Sequence, residues 1–229
     1  MPFSHLTRDV IADAALRVSA RADSFTLKVR DIGVELGVDP TAFYRHFRNH
    51  DELVLDLVDR LMARIHAQFV DDTGPWRSVL RRGAVALTDL FEAHPSVGIA
   101  AARDREVRQG ELLLADLILS TILRSGVSEE DAVRLYSSLS NMTLASSALI
   151  CEARISATLS AAEAVPVIAS DSPVSDRRRW LAPAVPVDLS LAPTVARLWP
   201  SITALGRRDV FEASLDVCLD AIEIAARTR

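Results

Sequence analysis

Asp39-Pro40 opens the stretch VDPTAFYRHF, residues 38–47, which sets two phenylalanines, a tyrosine, an arginine and a histidine within ten positions. Aromatic residues make up only 5% of the 229-residue chain, so three rings here are a concentration. Phe43 and Phe47 are four apart, share one helical face and point toward a core. Thr41, Ala42, Tyr44, Arg45 and His46 then take the outer face, where their tips suit phosphate oxygens and base edges. Arg48 and His50 follow, and no acid lies between residues 40 and 50. A blander reading makes all three rings core and leaves the arginine and histidine merely solvated.

The residues upstream favour the first reading. Val29, Ile32 and Leu36 stripe a short helix over 28–36. Gly37 follows it, the residue type that best tolerates the left-handed conformation ending a helix. Asp39 is placed to cap a new helix, with Pro40 at its first position. Two helices joined so briefly must cross steeply, which predicts a helix-turn-helix. An earlier helix carries Val10, Ile11, Ala14, Ala15 and Val18 at helical spacing, with Arg8, Asp9, Asp13 and Arg17 on its other face.

The elements behind this segment are helical too. Glycine is scarce at 8 residues, and no alternating β-branched run marks a strand. The apolar pattern predicts helices from about 51, over 76–93, 95–102 and 110–124, a long one capped by Ser128, and a last one over 209–226. Glu129, Glu130 and Asp131 suit the first turn of the long helix, where carboxylates favour the helix dipole. Six of the ten prolines fall within 160–206. That segment reads as a mobile, partly disordered excursion with one or two short helices, and its Arg177-Arg178-Arg179 as a solvated loop.

A net charge of −5 argues against coating nucleic acid by bulk electrostatics, so any DNA contact is local. The longest uncharged run, 135–151, is too short and too polar to span a membrane. The N-terminus lacks the apolar core of a secretory signal. Cys151 and Cys218 read as buried thiols of a reducing cytoplasm. No nucleophile elbow, zinc-binding helix or phosphate loop is present, and the serines of SSLSNMTLASS, 137–147, lack the strained turn that exposes a nucleophile. No catalytic residue, metal site or cofactor is expected.

VRDIGVELGVDPTAFYRHFRNHDELV, residues 29–54, resembles the TetR family of bacterial transcription regulators. HPSVGIAAAR, SGVSEEDAVRLY and FEASLDVCLDAIE further on are similar to the ligand-binding and dimerisation domain of its tetracycline-repressor branch. The resemblance implies an all-α protein with a three-helix DNA-binding domain over 1–52 and an effector-binding and dimerisation domain over 53–229. It implies a cytoplasmic repressor with three partners: double-stranded DNA carrying a palindromic operator, a small-molecule effector, and a second copy of itself. A helical small-molecule-binding protein without sequence-specific DNA binding is the alternative.

Carried over residue by residue, the DNA-facing positions are Arg30, Thr41, Ala42, Tyr44, Arg45 and His46. Lys28, Arg48 and His50 extend the basic surface. Lys28 stands where the family usually has Thr or Ser, and His50 where it usually has lysine. The implied effector pocket draws on His66, Trp76, Leu87, Phe91, His94, Arg103, Leu117 and Tyr136, with Arg103 leaving room for a carboxylate. Tetracycline–magnesium is not the expected ligand, because its asparagine and metal-binding histidine fall near Gly83 and Ala101. A largely apolar or aromatic effector is expected instead. The implied dimer face comprises Ser140, Thr143, Leu144 and Ser147 with Leu215, Cys218, Leu219 and Ile222.

Overall fold

A computed structural model describes residues 6–103, 106–163 and 188–228, and these are helical, with no strand among them. Thr7 caps α1 (Arg8–Ser19) by accepting from the Val10 amide. Ile11, Ala14, Ala15 and Val18 are buried along one face of that helix. Next comes α2 (Val29–Leu36), closed by Gly37 at φ 65°, a conformation costly for any residue with a Cβ. Asp39 then caps the following turn through its carboxylate, with Pro40 at the first position. The segment Pro40–Arg45 is a 3-10 helix, tighter than the α-helix expected from spacing. At Gly33 a Cβ would lie 3.0 Å from the Val38 carbonyl oxygen and 3.1 Å from the Pro40 ring. The turn folds back onto α2 so closely that a side chain at Gly33 would require its neighbours to give by a few tenths of an ångström.

Asn49 caps α3 (His50–Phe69), which runs unbroken across residues 52 and 53. Its first half buries Leu53 and Leu57 beneath α1 and the turn, and its second half buries Met62, Ile65 and Phe69. Around it lie α4 (Trp76–Ala93), α5 (Pro95–Ala101), α6 (Gln109–Leu123) and the long α7 (Glu129–Glu163). Ser128 caps α7 through the Asp131 amide, as its position predicts. Within the proline-rich segment, a 3-10 turn at Leu189–Leu191 and α8 (Pro193–Ala204) are described. Arg177, Arg178 and Arg179 lie outside the described residues. The last helix, α9 (Arg207–Arg227), packs Phe211, Leu215, Leu219 and Ile222 into a second core beside α4 and α7. Charges lace α4 to α9: Arg77 reaches Asp220 at 2.6 Å and Glu223 at 3.4 Å, and Arg81 pairs with Asp216.

α5 is pressed tightly into this frame. A Cβ at Gly98 would sit 2.6 Å from the Cys151 sulfur and 2.8 Å from the Phe91 Cβ. Gly98→Ala is therefore expected to destabilise the protein by about 1–3 kcal/mol, the usual cost of an overpacked core. Urea denaturation checks this, with Cys151→Ala added to it recovering part of the loss. Full stability in the single variant would show that α5 can move away from α7.

Candidate nucleic-acid interface and ligand cavity

The head is organised by charge on its inner side. The Arg8 guanidinium, on α1, donates to the His46 carbonyl at 2.7 Å, to Glu52 at 2.9 Å and to Asp56 at 3.3 Å. It also lies over the Phe47 ring, 4.1 Å from the centroid. Asp39 accepts from the Thr41 amide at 2.7 Å and the Thr41 hydroxyl at 2.6 Å. Phe43 and Phe47 stack at 5.3 Å and are buried, and Tyr44 meets Phe43 edge-on at 5.1 Å. Cap, ring stack and guanidinium together hold the turn as one unit.

That unit leaves a distinct outer face. Tyr44 is 58% exposed and the Arg48 side chain 88% exposed, while Lys28, Arg30 and Arg45 are also exposed. Ala42 and His46 are half-buried at its edge. Two of the anticipated residues have other duties. The Thr41 hydroxyl is held by Asp39. His50 is a brace: its Nε2 bonds the Leu27 carbonyl at 2.6 Å and ties the start of α3 to the strap before α2. Arg8, the residue on which the head depends, went unread in the sequence because its partners lie 38 to 48 positions away.

Glu52 joins these pieces. It accepts from the Arg48 amide at 2.7 Å as well as from Arg8. The Arg48 amide first, and then Arg8, hold its carboxyl well below the usual range, at about 2.

The cavity lies on the other side of α3 and holds about 80 Å³ of volume that a solvent molecule can enter. Its walls come from α3, α4, α6 and α7, and they are mainly apolar, with Met62, Phe69, Leu80, Leu114 and Ile118 among them. Of the residues expected there, Leu87, Leu117 and Tyr136 line it. The other five do not. Phe91 is fully buried under α5, and Trp76 packs on the second core. The His94 Nδ1 bonds the Leu16 carbonyl at 3.0 Å, facing the head instead of the cavity. His66 is half-buried near the end of α3, outside the lining. Arg103 borders a separate hollow with Phe25, Leu27 and His50, so it brings no charge to a ligand in the cavity.

The expected dimer residues divide similarly. Ser140, Thr143 and Leu144 line the cavity, and the buried Ser147 bonds Thr88 at 3.0 Å. Leu215, Leu219 and Ile222 are fully buried within the single chain, and Cys218 is half-buried beside them. Closing the core between α4, α7 and α9 already covers Leu215, Leu219 and Ile222. The outward face of α9 instead carries Val217, 68% exposed, and Ile224, 62% exposed. Among the described residues no cluster of histidine, cysteine, aspartate and glutamate could hold a metal ion, and no helix is long and apolar enough to cross a membrane.

A helix-turn-helix head joined through one helix to a domain with an apolar cavity is the architecture of a DNA-binding regulator. Residues 11–57 match the family model of bacterial regulatory proteins, tetR family, and residues 70–225 match the tetracyclin repressor-like C-terminal domain. The chain belongs to the tetR family and is a transcriptional regulator. Its fold is similar to that of a possible TetR family transcriptional regulator from Streptomyces coelicolor A3(2), at 22% identity and TM-score 0.73, covering 95% of this chain and 98% of that one. ActR from Streptomyces coelicolor in complex with actinorhodin is similar at 19% identity and TM-score 0.68, with 96% of each chain covered. A TetR variant from Acinetobacter baumannii AYE in complex with minocycline matches at 16% identity and TM-score 0.62, covering 96% of this chain and 94% of that one.

The Glu52 carboxyl, depressed on folding, yields a signed prediction. A group whose pKa falls on folding contributes stability above its unfolded pKa and loses it as the pH drops through the folded value. Wild type should therefore lose stability relative to Glu52→Gln as the pH falls from about 4.5 toward about 2. Thermal melts of the two proteins across this window test it, and parallel curves would remove Glu52 from the head's ion network.

Proposed function

We propose that this regulator is a cytoplasmic repressor, binding a palindromic operator as a homodimer and released by a small, largely apolar effector. In this reading residues 1–52 read DNA and residues 53–229 hold the effector and the partner copy. The observation that carries it is the division of the turn into a buried face, Phe43 and Phe47, and an outward face bearing Tyr44, Arg45 and Arg48. Tyr44 and His46 would engage phosphates, while Thr41, Ala42 and Arg45 reach base edges in the major groove. One head covers half a site, and a two-fold dimer presents two heads about one helical turn apart. Val217 and Ile224, with α7 alongside, supply the apolar face for that pairing.

Coupling between cavity and head has a physical route in α3 and α5. α3 contributes Met62, Ile65 and Phe69 to the cavity wall and packs Leu53 under the turn. α5 touches α1 through the buried Ser19–Ser96 hydroxyl pair at 2.8 Å and through His94. Proteins of similar fold were solved with actinorhodin or minocycline bound, which supports a ligand in a cavity of this kind. A second reading, a ligand-binding protein without sequence-specific DNA binding, draws on His50, whose Nε2 is committed to Leu27 instead of a phosphate.

Fluorescence anisotropy against DNA from immediately upstream of its own gene, at two salt concentrations, tests the first reading. Selective binding should weaken steeply with salt. Tyr44→Ala should lose roughly tenfold or more in affinity while melting like wild type. Binding no tighter than to an unrelated fragment, followed by failure to select any site from random DNA, would favour the second reading.

The pairing surface has its own test by sedimentation. Wild type should sediment as a dimer, and Ile224→Asp should give a folded monomer that binds the operator poorly. An Ile224→Asp protein that remains dimeric would move the interface elsewhere.

A further inference from the structure

Thr143, in the cavity wall, carries a buried hydroxyl that no described residue satisfies. It lines the cavity from α7 and is 4% exposed. Its Oγ1 is buried and finds no hydrogen-bond partner among the described residues. Other helical hydroxyls nearby show the usual solution. Thr88 donates to the Ala84 carbonyl at 2.9 Å, Thr121 to Leu117 at 2.7 Å, and Ser147 to the carbonyl of Thr143 itself at 2.7 Å. Thr143 departs from that pattern, and a buried hydroxyl is costly to leave unmade. Tyr136 and Ser140 line the same cavity from the same helix, and spacings of four and three place all three hydroxyls along one helical face.

Charge narrows the ligand further. Among the described residues that line the cavity Glu111 is the charged side chain, and none of them is an arginine, lysine or histidine. A carboxylate entering this cavity would leave water without meeting a counter-charge, and burying an unpaired charge is strongly unfavourable. Arg103, the residue expected to receive such a group, stands at the other hollow.

From Thr143 and the apolar, cation-free wall, we propose that the effector is an uncharged, largely apolar molecule whose carbonyl-type oxygen accepts a hydrogen bond from the Thr143 hydroxyl. This rests on the reading of the cavity as the effector site. Apolar surface supplies binding strength, and the hydroxyl on α7 sets the orientation and selects against a pure hydrocarbon.

Calorimetric titration of the full chain with three probes of one shape tests the proposal: 2-acetonaphthone, 2-ethylnaphthalene and 2-naphthoate. The ketone should bind about tenfold tighter than either the hydrocarbon or the carboxylate. Thr143→Val, which keeps the volume and removes the hydroxyl, should bring the ketone down to the hydrocarbon's affinity and melt no lower than wild type. An unchanged ketone preference in Thr143→Val, a carboxylate that binds as well as the ketone, or no binding by any probe overturns the proposal. Gly83→Leu separates this from failure of the cavity reading, since a Cβ at Gly83 meets nothing within 4 Å and a leucine there fills the space. Ligands lost in Gly83→Leu but unselective in wild type leave the cavity standing without the Thr143 contact. Ligands unaffected by Gly83→Leu bind elsewhere and remove the cavity reading itself.

Discussion

The Arg8 guanidinium is the point on which the head turns. It bridges α1 to the His46 carbonyl at the end of the turn and to two carboxylates on α3, while its flat face covers Phe47. A guanidinium suits this position because its planar fork can serve several oxygens while stacking on a ring. Glu52 extends the arrangement by accepting the Arg48 amide just before α3 begins. The outward side chains are therefore positioned from behind by partners on the inner side of the head.

α3 imposes the second constraint. It is continuous over 20 residues, so the wall of the cavity and the floor of the head belong to one rod. A ligand that displaces Met62, Ile65 or Phe69 also acts on the helix that packs Leu53 beneath the turn. α5 adds a second link, held to α1 by a serine pair and His94 and locked against α7 where Gly98 meets Cys151. Burial holds the His94 pKa below its usual value, which favours the neutral ring that donates one N–H to Leu16. Tight packing at both links suits coupled movement better than independent flexing.

The polar groups of the chain divide by what satisfies them. Thr88, Thr121 and Ser147 each bond a carbonyl one turn back and so become neutral packing. The buried Ser19–Ser96 and Thr88–Ser147 pairs satisfy each other across helices. Thr143 is left to the cavity. Among the described cavity-lining residues α7 supplies the hydroxyls of Tyr136, Ser140 and Thr143, while those from α3 are all apolar.

Local chemistry made the head legible in sequence. Gly37, Asp39 and Pro40 act within three or four residues, and Phe43 with Phe47 forms a periodic pair, so turn, cap and buried face could be read directly. The expected α-helix is a 3-10 turn over Pro40–Arg45, a difference of pitch that the short-range pattern does not encode. For the cavity and the apolar faces of α7 and α9, sequence showed only that apolar surface had to be covered. Covering Leu215, Leu219 and Ile222 from within the same chain was settled by how α4, α7 and α9 pack. Placing Thr143 at a cavity wall, and His94 and Arg103 away from it, was likewise settled by packing. Helix periodicity states which side of a helix is apolar; only tertiary contact decides whether that side meets its own chain, a partner or a ligand.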